Sequence, residues 1–223
     1  MTMALVGLLV LFALVPSGFS LSCIKCINFS GTICTGNTET CTSGSSCATS
    51  LSTTTLGSTV ASSTLTRGCS PINQCNITGS LTFTGGNVAI ATVCCDTDSC
   101  ASAIPTLPTA STTSNNQTCS TCASSTNDYC SSSDTLQCKG LETQCGRLST
   151  SVKSTTGSPI STSVIRGCAT PSVCNLLGNQ QVTYSDQSVN VAVTTFCSNG
   201  SFNLRGSFYL PAFTAFFLFK FLF

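Results

Sequence analysis

The chain is expected to be all-β, built as two small disulfide-rich modules in tandem. Three observations predict this. It carries 18 cysteines in 223 residues, with no histidine and no tryptophan. The cysteines fall into two runs of nearly equal spacing, and the segments between them read as hairpins with no sustained helical period. Both runs hold an even number of cysteines, as pairing within each module requires. A set of this size stays oxidised only in an extracellular or lumenal compartment.

The elements follow in chain order. Residues 1–20 are expected to be a signal peptide: Ala4 to Val15 is an unbroken apolar run, followed by Pro16, Gly18 and Ser20, although no Lys or Arg precedes it. The first module, residues 21–101, holds Cys23, Cys26, Cys34, Cys41, Cys47, Cys69, Cys75, Cys94, Cys95 and Cys100. Its turn signals are Leu56-Gly57-Ser58 and Gly85-Gly86-Asn87, the latter dividing Ser80–Thr84 from Val88–Val93. Residues 102–118, with Pro105, Pro108 and no charge, have a linker composition.

The second module, residues 119–203, holds Cys119, Cys122, Cys130, Cys138, Cys145, Cys168, Cys174 and Cys197, with turns expected at Thr156–Pro159 and near Ser185-Asp186-Gln187. The two modules repeat one another: RGCSPINQCN (Arg67 to Asn76) returns as RGCATPSVCN (Arg166 to Asn175). Modules of about 80 residues bury too little to be stable on a core alone, so bridges must supply much of the stability. Residues 204–223 end in the apolar run Phe208 to Phe223, broken only by Lys220. It is shorter than a membrane-spanning helix requires. A cluster of small residues, Ser198 to Ser201, and a spacer precede it, which is the pattern of a glycosylphosphatidylinositol (GPI) attachment signal, with Asn199 as the attachment residue.

Charge is sparse and balanced. Lys25 and Arg67 face Glu39, Asp96 and Asp98 in the first run; Lys139, Arg147, Lys153 and Arg166 face Asp128, Asp134, Glu142 and Asp186 in the second. Without a basic stripe, neither nucleic acid nor heparin is an expected partner. About a third of the residues are Ser or Thr, so the exposed surface is hydroxyl-rich. Sequons at Asn28, Asn76 and Asn116 are candidate N-glycosylation sites, and a fourth at Asn199 competes with lipid attachment. Clustered cysteines also bind metals, but eighteen thiols at unequal spacing with no histidine do not form a zinc set, and no cofactor is expected.

The run Leu21-x-Cys23-x-x-Cys26, five further cysteines, and the closing Cys94-Cys95-Asp96-Thr97-Asp98-Ser99-Cys100 resemble an LU domain. This is the three-finger, snake-toxin-like module of the urokinase-receptor/lymphocyte-antigen family. The resemblance covers nearly all of residues 21–203, twice over. It implies the pairs Cys23–Cys47, Cys26–Cys34, Cys41–Cys69, Cys75–Cys94 and Cys95–Cys100 in the first module. In the second it implies Cys119–Cys145, Cys122–Cys130, Cys138–Cys168 and Cys174–Cys197. Spacing alone leaves the connectivity open. Two departures stand out: Ala101 replaces the family's Asn after the last cysteine, and the second module lacks the closing pair.

No enzyme is expected. The commonest general base is missing, and no nucleophile elbow or phosphate loop is present. Asp96 and Asp98 are the only close carboxylates, in a loop that the resemblance makes a structural cap. Arg67 and Arg166 precede Gly-Cys in equivalent places and suggest a repeated structural contact. The expected function is that of a GPI-anchored protein on the outer leaflet of the plasma membrane, binding an extracellular or cell-surface protein through its fingers. A secreted protein similar to two-domain phospholipase inhibitors, and a glycosylated structural coat, are the other readings. The binding surface is placed at finger tips near Leu56, Gly85 to Asn87, Pro159 and Asp186. Leu81, Phe83, Val182 and Tyr184 supply apolar contacts if they face outward and pack between fingers if they do not.

Overall fold

The computed structural model describes residues 20–30, 33–177, 179–184 and 188–198. The apolar run of the expected signal peptide, the turn at Ser185 to Gln187, Asn199 and the C-terminal tail lie outside the described residues. The chain is mostly β and holds nine disulfide bridges, consistent with tandem three-finger modules.

Its contacts define two compact units. One comprises the described residues through Thr53, with Ser62–Ile77 and Ile90–Leu107; the other comprises Thr54–Ala61, Thr78–Ala89 and the described residues from Pro108 onward. These units do not coincide with the cysteine modules, because the ends of two hairpins from the first cysteine run are counted in the second unit.

In the first unit, β1 (Ser22–Ile24) pairs with β3 (Thr38–Thr40), and β2 (Cys26–Asn28) pairs with β5 (Thr59–Pro71). Strand β4 (Ser45–Leu56) lies between β5 and β7 (Gly86–Cys95), and β6 (Ile77–Phe83) flanks β7; β6 from Thr78 onward and the turn ends of β4, β5 and β7 are counted in the second unit. The turns fall where the glycines predict. Gly57 and Gly85 have φ of 60° and 88°, a left-handed conformation that glycine adopts without steric cost. The core is largely sulfur: Cys23, Cys41 and Cys47 are buried, with Leu21, Cys69, Cys95 and Cys100 packed against them. A second cluster joins Cys26, Cys34 and Leu65. The bridges here are Cys23–Cys47, Cys26–Cys34, Cys41–Cys69, Cys75–Cys94 and Cys95–Cys100.

In the second unit, β8 (Ser114–Ser120) pairs with β10 (Thr135–Lys139). Strand β8 therefore begins inside the stretch whose composition reads as linker. The main sheet runs β13 (Asn179–Tyr184), β14 (Val189–Ser198), β11 (Gln144–Ser154) and β12 (Pro159–Ala169). The outer side of β12 is shared between β9 (Cys122–Ser124), at Val164 to Arg166, and β6, at Cys168 and Ala169. Cys119, Cys138, Cys145 and Cys168 form one buried cluster, with Leu136 against it, and Leu81, Val164, Ala169 and Val173 are also fully buried. The bridges are Cys119–Cys145, Cys122–Cys130, Cys138–Cys168 and Cys174–Cys197.

Among the described residues, one α-helix departs from the all-strand expectation: α1 (Pro171–Leu177). The equivalent stretch of the first module, Ile72–Gln74, is only a 3-10 turn. The two follow the same Arg-Gly-Cys motif, but the proline stands two residues after the cysteine in one and three in the other. Pro171 opens α1, where a fixed φ and a missing N–H cost nothing. Seven residues are too few for a helical period to register in the sequence.

Candidate functional site

The repeated arginines occupy equivalent positions. Arg67 lies opposite Cys26, and Arg166 lies opposite Cys122, each facing the second cysteine of its module. Arg67 donates from Nη1 to the Cys34 carbonyl at 3.3 Å. Beside it, Glu39 holds Lys25 Nζ at 2.8 Å and accepts the Cys69 N–H at 3.3 Å, so this neighbourhood organises the knot. The two close carboxylates are engaged in the same way. Asp96 accepts from the Ser46 hydroxyl and Asp98 from the Ser22 N–H, both at 2.8 Å, tying the loop between Cys95 and Cys100 to β4 and β1. Two groups of three sulfurs come within 4.8 Å, Cys23/Cys41/Cys69 and Cys119/Cys138/Cys168. All six belong to bridges and offer no thiolate to a metal.

Of the sequon asparagines, Asn76 and Asn116 are exposed; Asn28 is half-buried, and its side-chain oxygen accepts the Ser30 N–H at 2.6 Å. Leu81, Phe83 and Tyr184 are buried, and Val182 is half-buried, so the first three are packing residues and not an outward contact surface. What the hairpin ends do expose is different. Leu56 and Val60, at the end of β4–β5, are 49% and 64% exposed, and Ile160, at the end of β11–β12, is 59% exposed.

The second unit also carries a shallow groove of about 240 Å³ on one face of β12–β11–β14, lined by Asp128, Arg147, Ser149, Thr194 and Phe196 among others. Residues directly opposite in antiparallel strands share a face. The register therefore builds rows across it: Arg166, Arg147 and Phe196; then Val164, Ser149 and Thr194; then Thr162, Ser151 and Ala192. Arg147 donates from Nη2 to the main-chain oxygen of Asp128 and not to its carboxylate. Phe196 is half exposed, and the Ser149 hydroxyl is buried without a hydrogen-bond partner. None of this is visible in the sequence, which shows only an isolated arginine in a Ser/Thr-rich strand.

Nothing in the sequence singles out Glu142, a carboxylate only 7% exposed in the β10–β11 turn. It accepts from the hydroxyls of Ser80 and Thr82, each at 2.7 Å. Burial pushes its carboxyl above the ordinary Glu value, opposed by those two hydrogen bonds and by Lys139.

The model of the u-PAR/Ly-6 domain matches the chain twice, over residues 20–103 and 115–204. The crystal structure of mouse TEX101 is similar at 16% identity, covering 82% of this chain and 100% of that one, with a TM-score of 0.33. No curated protein sequence matches the chain.

Proposed function

This chain belongs to the u-PAR/Ly-6 domain family, whose members are in general non-enzymatic surface or secreted proteins, and from that premise we propose that it is a GPI-anchored cell-surface protein binding an extracellular protein partner through its fingers. The reading is supported by one observation above others. Large apolar side chains are exposed at the end of the central hairpin in both modules: Leu56 and Val60 in the first, Ile160 in the second. Single exposed apolar residues are ordinary. Their recurrence at equivalent hairpin ends, on a chain with so few charges, suits a recognition surface that excludes water. Anchoring is supported by the small-residue cluster at Ser198 to Ser201 and the apolar run from Phe208.

Two measurements test the reading. Phosphatidylinositol-specific phospholipase C should release the protein from cells that express it; retention after treatment overturns the anchor. Leu56→Asp, Val60→Asp and Ile160→Asp together should abolish binding to partner-bearing cells. The parent's binding should survive a rise from about 0.1 to about 0.5 M salt, because apolar contacts are not screened. Unchanged binding by the triple variant places the contact surface elsewhere.

A further inference from the structure

We propose that the groove on β12–β11–β14 is a binding site for an acidic sugar residue at a glycan terminus, its carboxylate on Arg147 and its ring on Phe196. This goes beyond the protein-partner reading and does not depend on it.

Charge comes first. Arg147 lies directly opposite Arg166 in the neighbouring strand. Arg147 spends one guanidinium N–H on the Asp128 carbonyl, and no carboxylate among the described residues pairs with it. A guanidinium with N–H groups to spare presents planar, two-pronged geometry to a carboxylate.

The remainder of the groove selects the kind of anion. Ser149, Ser151 and Thr194 floor it with short hydroxyl side chains, and the Ser149 hydroxyl is a buried group still lacking a partner. Asp128 also lines the groove, its main-chain oxygen accepting from Arg147. Phe196, directly opposite Arg147 on β14, offers the apolar face against which a sugar ring packs. A volume of about 240 Å³ is below that of drug-sized pockets and suits one ring.

An acidic peptide fits less well. Extended peptides gain affinity by pairing with a free strand edge. Strand β11 is already paired on both sides, with β12 and β14, so this face presents side chains only.

The test uses the full-chain protein, purified in detergent and treated with sialidase so that its own glycans do not compete. Binding is read by saturation-transfer NMR with 3′-sialyllactose, lactose and a hexaglutamate peptide. Sialyllactose should bind at least about tenfold more tightly than lactose, since a charged hydrogen-bonded pair is worth roughly that factor or more. Arg147→Ala and Phe196→Ala should each weaken it about tenfold or more. Lys153→Ala, about 20 Å further along β11, should leave it within about twofold. Variants are compared only where their thermal transitions match the parent's. Arg147→Lys, which keeps the charge and the Asp128 contact, should still lose affinity because the two-pronged geometry is gone. Equal binding of lactose, undiminished binding by Arg147→Ala or Phe196→Ala, tighter binding of hexaglutamate, or no binding of sialyllactose overturns the proposal. Failure of the anchor or of the hairpin-end surface leaves these readouts untouched.

Discussion

Ser80 donates its hydroxyl hydrogen to Glu142 Oε1 at 2.7 Å, joining β6 to the β10–β11 turn within the second unit. Thr82 donates to the same oxygen, and Asn115 clamps the turn from the other side through the Gly140 and Glu142 carbonyls. A carboxylate taken out of water is costly unless hydrogen-bonded, and these donors offset part of that cost.

The consequence is a pH-dependent contribution to stability. Burial raises the Glu142 carboxyl in the folded state. The folded protein therefore keeps this proton to higher pH than the unfolded chain, and ionisation costs stability. That cost sets in as pH rises past the ordinary Glu value of about 4.3 and is complete above the folded value. Glu142→Gln removes the titration. Denaturant unfolding should show the parent losing stability relative to this variant as pH rises past the ordinary Glu value. Ser80→Ala, which deletes one donor, should steepen that loss. A difference that stays flat with pH means that Glu142 ionises without cost.

Gly167, the glycine of the repeated Arg-Gly-Cys motif, should not tolerate a side chain. A Cβ there would overlap the carbonyl oxygen of Thr82, where β6 crosses close to β12. Because the obstacle is backbone, Gly167→Ala is expected to cost about 1–3 kcal/mol or more. Gly68→Ala, at the equivalent place in the first module, meets only the Glu39 carboxylate at 3.3 Å and should cost less. Thermal unfolding of the two variants side by side decides it; equal losses would show that β6 yields.

The bridges should differ in worth according to the loop each closes. Cys41–Cys69 spans 28 residues and Cys95–Cys100 spans 5. Chain-entropy reasoning assigns the first about 3.5 kcal/mol and the second about 2 kcal/mol. Replacing each pair by serine and measuring guanidinium midpoints should reproduce that order. The gap should be wider than entropy alone gives, because Cys41 is part of the buried core.

Asn76 and Asn116 are exposed, and each is expected to carry a glycan. Asn76→Gln and Asn116→Gln should each lower the apparent mass of the protein secreted or displayed by mammalian cells by one glycan. Amidase treatment should abolish both differences. A variant that migrates with the parent identifies an unused sequon.

The cysteine spacing, the paired turn glycines and the repeated Arg-Gly-Cys motif were enough to read two β modules and the positions of their hairpin turns at Gly57, Gly85 and Gly157. Each of those signals is local: a glycine permits a left-handed turn, and a thiol count demands oxidation, whatever surrounds them. The sequence could not say which side of a strand faces water. A register shift of one residue exchanges the two faces, and in strands such as Arg147 to Ser154 the Ser and Thr residues leave little apolar alternation to mark the buried side. Register, set by hairpin pairing and the bridges, placed Arg147 beside Arg166 and Phe196 and turned Tyr184 inward. Glu142 needed more still, because its donors lie 62 and 60 residues away, on a strand from the other cysteine run. Only the packed tertiary structure brings those groups together and removes water from between them, and that exclusion of water raises the carboxyl's pKa.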